Sequence, residues 1–374
     1  MKILILSNSL SSTIRFRKWL LDRLELQGHQ IFIVSSEDIK PPISQNSNIQ
    51  YFNIHLDRKS KSIFNNVKLM YSFFTISKSL KPDLALLYTT KPALLAPIIY
   101  FILKIPSISI FTGLGSGFIH ISKLKRLLFF LIRATLSFSS AIIVLNRQDK
   151  AYLNKVLHIP LKKTYILPGE GIDVNFFMYQ QPIPSPVLKF LFIGRLIKDK
   201  GIHELLDAFQ QLHCSHMGKF RVTIIGSLDS GNPTTISSLD LDNIKNLNYI
   251  DYVKHTDSVE KYIRDSDIFI LPSYREGLSR SLLESCSIGR PAIVTNVPGL
   301  AELVENGING FVCAPQDSEQ LYVLMKKVIN TDRLDLLKMG MESRRKVVGC
   351  YDVDSVYNKF IKILNTTLKY KAFK

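Results

Sequence analysis

The sequence predicts an α/β protein made of two doubly wound, Rossmann-like domains. Three observations predict it. Short β-like runs alternate with longer helical ones along nearly the whole chain. The alternation breaks in a polar, proline-rich stretch, "MYQQPIPSPV", and then restarts. At 374 residues the chain is also longer than one ordinary domain. The expected division is a first domain over 1–177, a linker over 178–187 and a second domain over 188–352. Residues 353–374, "SVYNKFIKILNTTLKYK" among them, read as an amphipathic helix with a basic tip that crosses back to the first domain. Two such domains predict a cleft, with ligands at the carboxyl ends of the strands.

The elements follow in order. "KILILS" is a strand, "TIRFRKWLLDRLELQG" a helix and "QIFIVS" a strand. In that helix Ile14, Trp19, Leu20 and Leu24 recur at helical spacing, and Gly28 stands where a C-terminal cap belongs. Next come "DLALLYT", a helix around "PALLAPIIYFIL", the strand "SISIF", the helix "KLKRLLFFLIRATLSFS" and the strand "AIIVLN". After the linker the strands are "KFLFIG", "FRVTIIG", "DIFILPS" and "PAIVT". They alternate with helices "GIHELLDAFQQLH", "SVEKYIRDS", "SRSLLESCSIG" and "DSEQLYVLMKKVIN". No sequence repeat relates the two halves.

Composition narrows the function classes. Four cysteines stand far apart with no CxxC pair, which argues against a disulfide framework or a zinc site and fits a reducing compartment. "MKILILSNSL" reads as a first strand, not a signal peptide, and no run escapes charge for long enough to cross a membrane. The net charge of +17 is unevenly placed. Residues 1–187 hold 23 Lys and Arg against 9 Asp and Glu; the remainder hold 25 against 22. From Leu84 to Gln148 there is no acidic residue. That asymmetry predicts an anionic partner for the first half, a nucleic acid or a membrane surface.

The segment richest in chemistry is "LPSYREGLSRSLLESCSIGRPAIVTNVPG". A buried strand ends at Ser273 and a tight turn opens a helix, whose first amides, at Gly277, Leu278 and Ser279, are expected to bind a diphosphate. Glu276 precedes the helix and Glu284 lies two turns inside it, so one carboxylate can meet a sugar while the other meets a vicinal diol. In "FIGRLIKDKG" another strand ends at Gly194, followed by Arg195 and Lys200, cations suited to phosphate oxygens. Taken singly, each of these residues also reads as ordinary solvated surface.

Together these stretches, with "GRPAIVTNVPGLAELVENGINGF", resemble the retaining glycosyltransferases of family 4, which have the GT-B fold. The resemblance covers nearly the whole chain. "YTTKPALLAPI", "FTGLGSGF", "PGEGIDVNFF" and "GSLDSGNPTTIS" are similar to the branch of N-acetylgalactosaminyltransferases that extends polyprenyl-diphosphate-linked glycans. The resemblance implies a UDP-sugar donor held by the second domain, retention of anomeric configuration, no cofactor and no essential metal. It implies that Arg195 and Lys200 hold the donor diphosphate, Glu284 the ribose hydroxyls and Glu276 the donor sugar. Val253 and Lys254 in "DYVKHT" would meet the uracil through backbone groups. Arg15, Lys91, Thr112 and Gly113 are the acceptor-side candidates on the first domain. Where many family members carry a histidine near the sugar, this chain has Thr112-Gly113, so no histidine takes that role. "SNSLSST" also lacks the family's usual glycines.

"FTGLGSGF" raises the rival of a dinucleotide site, but no acidic residue follows about 20 residues on, as a ribose-binding acid would. It reads as backbone lining the cleft. "ISKLKRLLFFLIRATLSF" sets Lys123, Lys125, Arg126 and Arg133 among Leu127, Phe129 and Phe130. That is either a core helix with a charged rim or an interfacial helix on anionic lipid. "LDRKSKSIFNNVKLMYSFF" has the same character, and no nucleic-acid module accompanies either stretch. The expected protein is a peripheral enzyme on the cytoplasmic face of the inner membrane, acting in surface-polysaccharide assembly. Its expected partners are a UDP-sugar, a polyprenyl-diphosphate-linked glycan and an anionic membrane surface, with no nucleic acid. Two alternatives stand beside it: a UDP-sugar epimerase or hydrolase on the same scaffold, and a basic nucleic-acid-binding protein.

Overall fold

The computed structural model describes residues 1–36, 48–56, 62–114, 125–229 and 231–372. The chain forms two compact units, the first from Met1–Glu170 with Val356–Lys374, the second from Gly171–Ser355. The proline-rich stretch 178–187 thus lies inside the second unit. Two guanidinium groups fasten the backbone that leads into it. Arg290, fully buried, donates from Nη1 to the Gln180 carbonyl at 2.7 Å and from Nε to that of Ile263 at 2.9 Å. Arg344 donates to the carbonyls of Phe177 at 2.8 Å and Val174 at 3.0 Å. An arginine offers a fixed fork of donors, so each can satisfy several carbonyls at once. Burial lowers the Arg290 pKa to about 10, which leaves it charged at neutral pH.

The first unit begins with β1 (Lys2–Leu6), α1 (Leu10–Leu26), β2 (Gln30–Ser35) and β3 (Ile49–Asn53). It continues with α2 (Ile63–Leu80), β4 (Leu84–Tyr88), α3 (Thr90–Leu95), α4 (Pro97–Ile102) and β5 (Ser107–Phe111). Then come α5 (Lys125–Ser137), β6 (Ala141–Val144), α6 (Arg147–Lys155) and β7 (Thr164–Ile166). All seven strands are parallel, in the order β3-β2-β1-β4-β5-β6-β7. β4 and β5 are buried at every position, as strands covered on both faces must be; β4 reads as an unbroken apolar run, while β5 carries the buried Ser107 and Ser109. The expected single helix around "PALLAPIIYFIL" is two helices. Pro97 has no N–H to continue α3, and it starts α4 at the first helical position, where that donor is not needed.

The second unit contains β8 (Leu188–Ile193), α7 (Ile202–His216), β9 (Phe220–Ile225), α8 (Ser238–Asn246) and β10 (Ile250–Val253). These are followed by α9 (Val259–Asp265), β11 (Ile268–Leu271), α10 (Arg280–Ile288), β12 (Ala292–Thr295) and β13 (Gly310–Cys313). α11 (Ser318–Ile329) and α12 (Arg333–Cys350) complete it. Its parallel sheet runs β10-β9-β8-β11-β12-β13, so the strand order reverses between β8 and β11. α13 (Val353–Ala372) then returns the chain to the first unit. There Tyr357 meets Trp19 of α1 edge-on at 6.2 Å, and the Arg23 guanidinium lies 5.0 Å over the Tyr357 ring. Among the described residues, no helix is long and apolar enough to cross a membrane.

Candidate active site

In an open parallel sheet the carboxyl ends of the two strands at the reversal diverge, and a ligand fits in the gap they leave. In the second unit those strands are β8 and β11, and the sequence-predicted cations and carboxylates follow them directly. After β8 the chain passes Gly194 and Arg195 and closes a short 3-10 turn, Lys198–Lys200, before α7. After β11 it passes Pro272–Gly277 before α10.

The two loops are fastened to each other. The Tyr274 N–H donates to the Asp199 carbonyl at 2.9 Å. Gly201 has φ +71°, and a Cβ there would stand 2.1 Å from the Pro272 carbonyl oxygen, so only glycine lets the backbones approach this closely. The approach sets Lys200 beside Glu276: Lys200 Nζ donates to Glu276 Oε1, which also accepts from Ser273 Oγ at 2.9 Å. Both side chains are largely buried, at 18% and 12% exposure. A third loop braces the turn. Gly299, at φ +75°, brings its Cα so near Gly277 that a Cβ would lie 2.2 Å from the Gly277 carbonyl oxygen. The Tyr274 hydroxyl donates to Glu204 at 2.6 Å; burial and that carboxylate push its pKa upward, so it stays a neutral donor.

Arg195 is more open, 58% exposed, and pairs with Asp229 at 2.5 Å. Asp229 comes from the loop after β9. That loop runs along the Arg195 segment through Leu196 N–H to Ser227 O at 3.1 Å and Lys198 N–H to Thr234 O at 2.7 Å. Each expected phosphate-binding cation therefore carries a carboxylate counter-ion, which a diphosphate would have to replace or join.

α10 begins three residues later than the sequence suggests. Ser279 is its N-cap and accepts the Leu282 N–H at 3.3 Å, so the first helical residues are Arg280, Ser281 and Leu282. Gly277 and Leu278 belong to the preceding turn. A Ser cap fixes the start because its hydroxyl satisfies an amide that the helix itself leaves open. Glu284 is buried, and Arg280 Nε donates to its Oε1 at 2.9 Å while Arg280 Nη1 donates to Gly171 O at 3.2 Å. Val253 and Lys254 leave the end of β10 at the same edge of the sheet; the Val253 carbonyl accepts the Gly226 N–H at 3.0 Å. The structure thus joins Lys200 to Glu276 directly and places Arg195, Glu284, Val253 and Lys254 on loops and a helix at one sheet edge. Asp229, Ser273, Arg280 and the packing glycines were missed in the sequence. Of these only Arg280, four residues before the predicted Glu284 on one helix, left a local signal.

In the first unit, Arg15 is exposed on α1, Lys91 is half-buried on α3, and Thr112 and Gly113 are half-buried just after β5. Residues 115–120, including the rest of "FTGLGSGF" and His120, lie outside the described residues. Nearby in chain order, Arg17 is buried, ion-paired with Glu170, and stacked 4.1 Å over the Tyr88 ring. Among the described residues, no three His, Cys, Asp or Glu side chains stand close enough to share a metal ion.

Two doubly wound parallel-sheet units, the second with paired cations and carboxylates at its switch point, are the architecture of the glycosyltransferases of the GT-B type. Comparison with known families agrees. The description "Glycosyl transferases group 1" fits residues 173–346, and "Glycosyl transferase 4-like" fits residues 2–146. Between them these two descriptions cover most of the chain, which is a glycosyltransferase. It is similar to the capsular polysaccharide biosynthesis glycosyltransferase CapM of Staphylococcus aureus, at 24% identity over 83% of this chain and 84% of CapM. It is also similar to the N,N'-diacetylbacillosaminyl-diphospho-undecaprenol alpha-1,3-N-acetylgalactosaminyltransferase of Campylobacter jejuni, at 23% identity over 99% of this chain and 100% of that one. Among solved structures, sucrose-phosphate synthase from Thermosynechococcus elongatus superposes with a TM-score of 0.82 at 16% identity, covering 99% of this chain and 100% of the other. Anabaena HepE in complex with UDP and glucose gives 0.77 at 18% identity, covering 98% and 100%. These two likenesses bear on the fold.

Proposed function

We propose that the chain transfers an N-acetylhexosamine from a UDP-sugar to a polyprenyl-diphosphate-linked glycan, with retention of configuration, at a membrane surface during polysaccharide assembly. The observation that carries this reading is the Lys200–Glu276 pair at the β8/β11 reversal, with Arg195 on one flank and Glu284 inside α10. The full-length likeness to a transferase acting on a diphospho-undecaprenol glycan supports the acceptor class.

Arg195, Lys200 and the positive end of α10 receive the diphosphate, Glu284 takes the ribose hydroxyls, and Glu276 contacts the sugar. The bond from the anomeric carbon to the β-phosphate oxygen breaks as negative charge grows on that oxygen, and the cations stabilise that charge. The acceptor hydroxyl forms its bond to the anomeric carbon on the face that UDP leaves, and its proton passes to the departing phosphate oxygen. Acceptor recognition falls to the first domain. The chemistry uses no cofactor, and fixed cations take the electrostatic task that a metal would otherwise perform.

The test is a panel of UDP-sugars incubated with a polyprenyl-diphosphate-linked acceptor, with product mass and anomeric configuration read out. A mass gain of one N-acetylhexosamine with the donor's configuration is the expected result. Release of free sugar or an epimerised donor without any acceptor would assign the scaffold to the epimerase or hydrolase alternative.

A further inference from the structure

The first unit covers one side of its sheet with α2, α4 and α5, and α4 packs between the other two. A helix lying on a sheet ordinarily turns its apolar stripe inward and a polar face to water. These helices depart from that rule. α2 buries Leu69 and Phe73, yet leaves Ile63, Phe64, Val67 and Tyr71 exposed along its outer side. α4 exposes Phe101 and Ile102, and α5 exposes Phe130 and Leu131. All are more than half exposed, from 52% at Leu131 to 81% at Ile63. Single exposed apolar residues are commonplace, but a concentration on neighbouring helices of one layer marks an interaction surface.

The charges on the same helices identify the partner. No acidic residue occurs from Arg58 to Pro82 or from Leu84 to Gln148. Lys68 and Lys78 of α2, Lys104 just after α4 and Arg133 of α5 are all exposed among the apolar side chains. A second copy of the chain would bring like charge against like. A bilayer containing anionic lipid matches both properties, since apolar side chains enter the acyl boundary while the bases meet phosphate headgroups.

We infer that the outer face of α2, α4 and α5 is the surface by which the first unit docks on an anionic bilayer. This widens the anchor expected from the sequence, the set over residues 123–133 with a stretch of the same character over α2, to a face shared with α4. Of that set, Lys123 is outside the described residues, Phe129 packs half-buried against the core, and Phe130 and Arg133 stand on the exposed face. The inference deepens the proposed function, whose acceptor resides in such a membrane, but docking is measured without donor or acceptor.

The full chain is mixed with vesicles of equal parts phosphatidylglycerol and phosphatidylcholine, or of phosphatidylcholine alone, and sedimented. Binding to the mixed vesicles, weakened by salt, is expected. A variant carrying Phe64→Ser, Tyr71→Ser, Phe101→Ser and Phe130→Ser should lose about tenfold or more in bound fraction. Its thermal melt should stay unchanged, because all four side chains are exposed. A second variant with Lys68, Lys78, Lys104 and Arg133 changed to Gln should lose the preference for phosphatidylglycerol. Failure of the unaltered chain to bind either vesicle, or binding by the Ser variant equal to it, overturns the inference. So does a dimer in light scattering that the Ser variant abolishes, which would give the face to a second copy. Docking without sugar transfer would instead leave this surface standing and remove the acceptor reading.

Discussion

Arg280 Nε lies 2.9 Å from Glu284 Oε1, one turn along the same helix, and the other end of its guanidinium holds the Gly171 carbonyl. The arginine thereby fixes the carboxylate assigned to the donor's ribose. Arg280→Ala should raise the donor KM about tenfold with a smaller effect on kcat, since it loosens an interaction made equally in ground and transition states. Arg280→Lys should recover part of the loss. A donor KM unmoved in the Ala variant would free Glu284 from this dependence.

Lys200→Ala and Arg195→Ala should each lower turnover roughly a hundredfold, because each removes a charge aimed at the departing diphosphate. Arg195 is open to solvent, so its variant should melt much as the unaltered chain does, whereas Lys200→Ala leaves the largely buried Glu276 unpaired and should lower the melt as well. Near-normal turnover in both variants would take them out of the mechanism.

Chelation should leave most of the rate intact, since in the proposed reading Arg195, Lys200 and the start of α10 stabilise the leaving group without a metal. The check is turnover with and without EDTA, followed by added manganese. Activity abolished by EDTA and restored by manganese would contradict the prediction.

Gly299→Ala tests the brace behind the turn. A Cβ at this position meets the Gly277 carbonyl oxygen at 2.2 Å and the Glu276 carbonyl oxygen at 3.1 Å, and φ +75° disfavours any side chain. The turn must shift, carrying Glu276 away from Lys200. A loss of activity of at least about tenfold is expected, with a lowered melting temperature. Unchanged kinetics would show that the turn holds its place without the glycine.

The start of α8 gives a prediction in pH. Ser237 and Asp240 form a reciprocal cap, with Ser237 Oγ and N–H donating to Asp240 Oδ2 at 2.7 and 3.0 Å. The Ser237 side-chain bond first, then the backbone bond, hold the Asp240 pKa below its ordinary 3.8. A depressed carboxyl pKa stabilises the fold above the ordinary value, and that contribution is lost as pH falls through the folded-state value. Ser237→Ala should thus cost about 1 kcal/mol at neutral pH, and the gap to the unaltered chain should narrow in acid. Urea melts of both chains across that range decide it; a gap that widens in acid rules the cap out as its cause.

Much of this architecture was legible because buried parallel strands announce themselves. β4 and β11 are buried at every residue and read as short apolar runs; β5 and β12 are buried throughout as well, with only Ser107, Ser109 and Thr295 interrupting the apolar residues. α12 was not legible. Its inward positions include Gly340 and Ser343, small because a Cβ on Gly340 would stand 2.2 Å from the Gly289 carbonyl oxygen, so the apolar period fails where the packing is tightest. β3 escaped because it is a half-exposed edge strand. In the site, Arg195, Lys200, Glu276 and Glu284 stood out by type and spacing. Asp229 and Gly299 did not, since each acts on a residue distant in the chain and leaves no local pattern. Arg17 misleads in the opposite way, a charged residue at an inward helix position that its pairing with Glu170 and its stacking on Tyr88 explain.

The return of α13 to the first unit has a consequence for how the polypeptide is made. The second unit is one continuous stretch, Gly171–Ser355, and can close as soon as it leaves the ribosome. The first unit, although translated earlier, waits for Val356, Phe360 and Tyr357, and until they arrive Trp19 and Arg23 are without the contact of the Tyr357 ring. The half that is synthesised first is finished last. A nascent chain halted near Ser355 would therefore carry a complete second unit and an unfinished first one. A fusion that hinders α13 would injure the far end of the gene product, while the adjoining half stays sound.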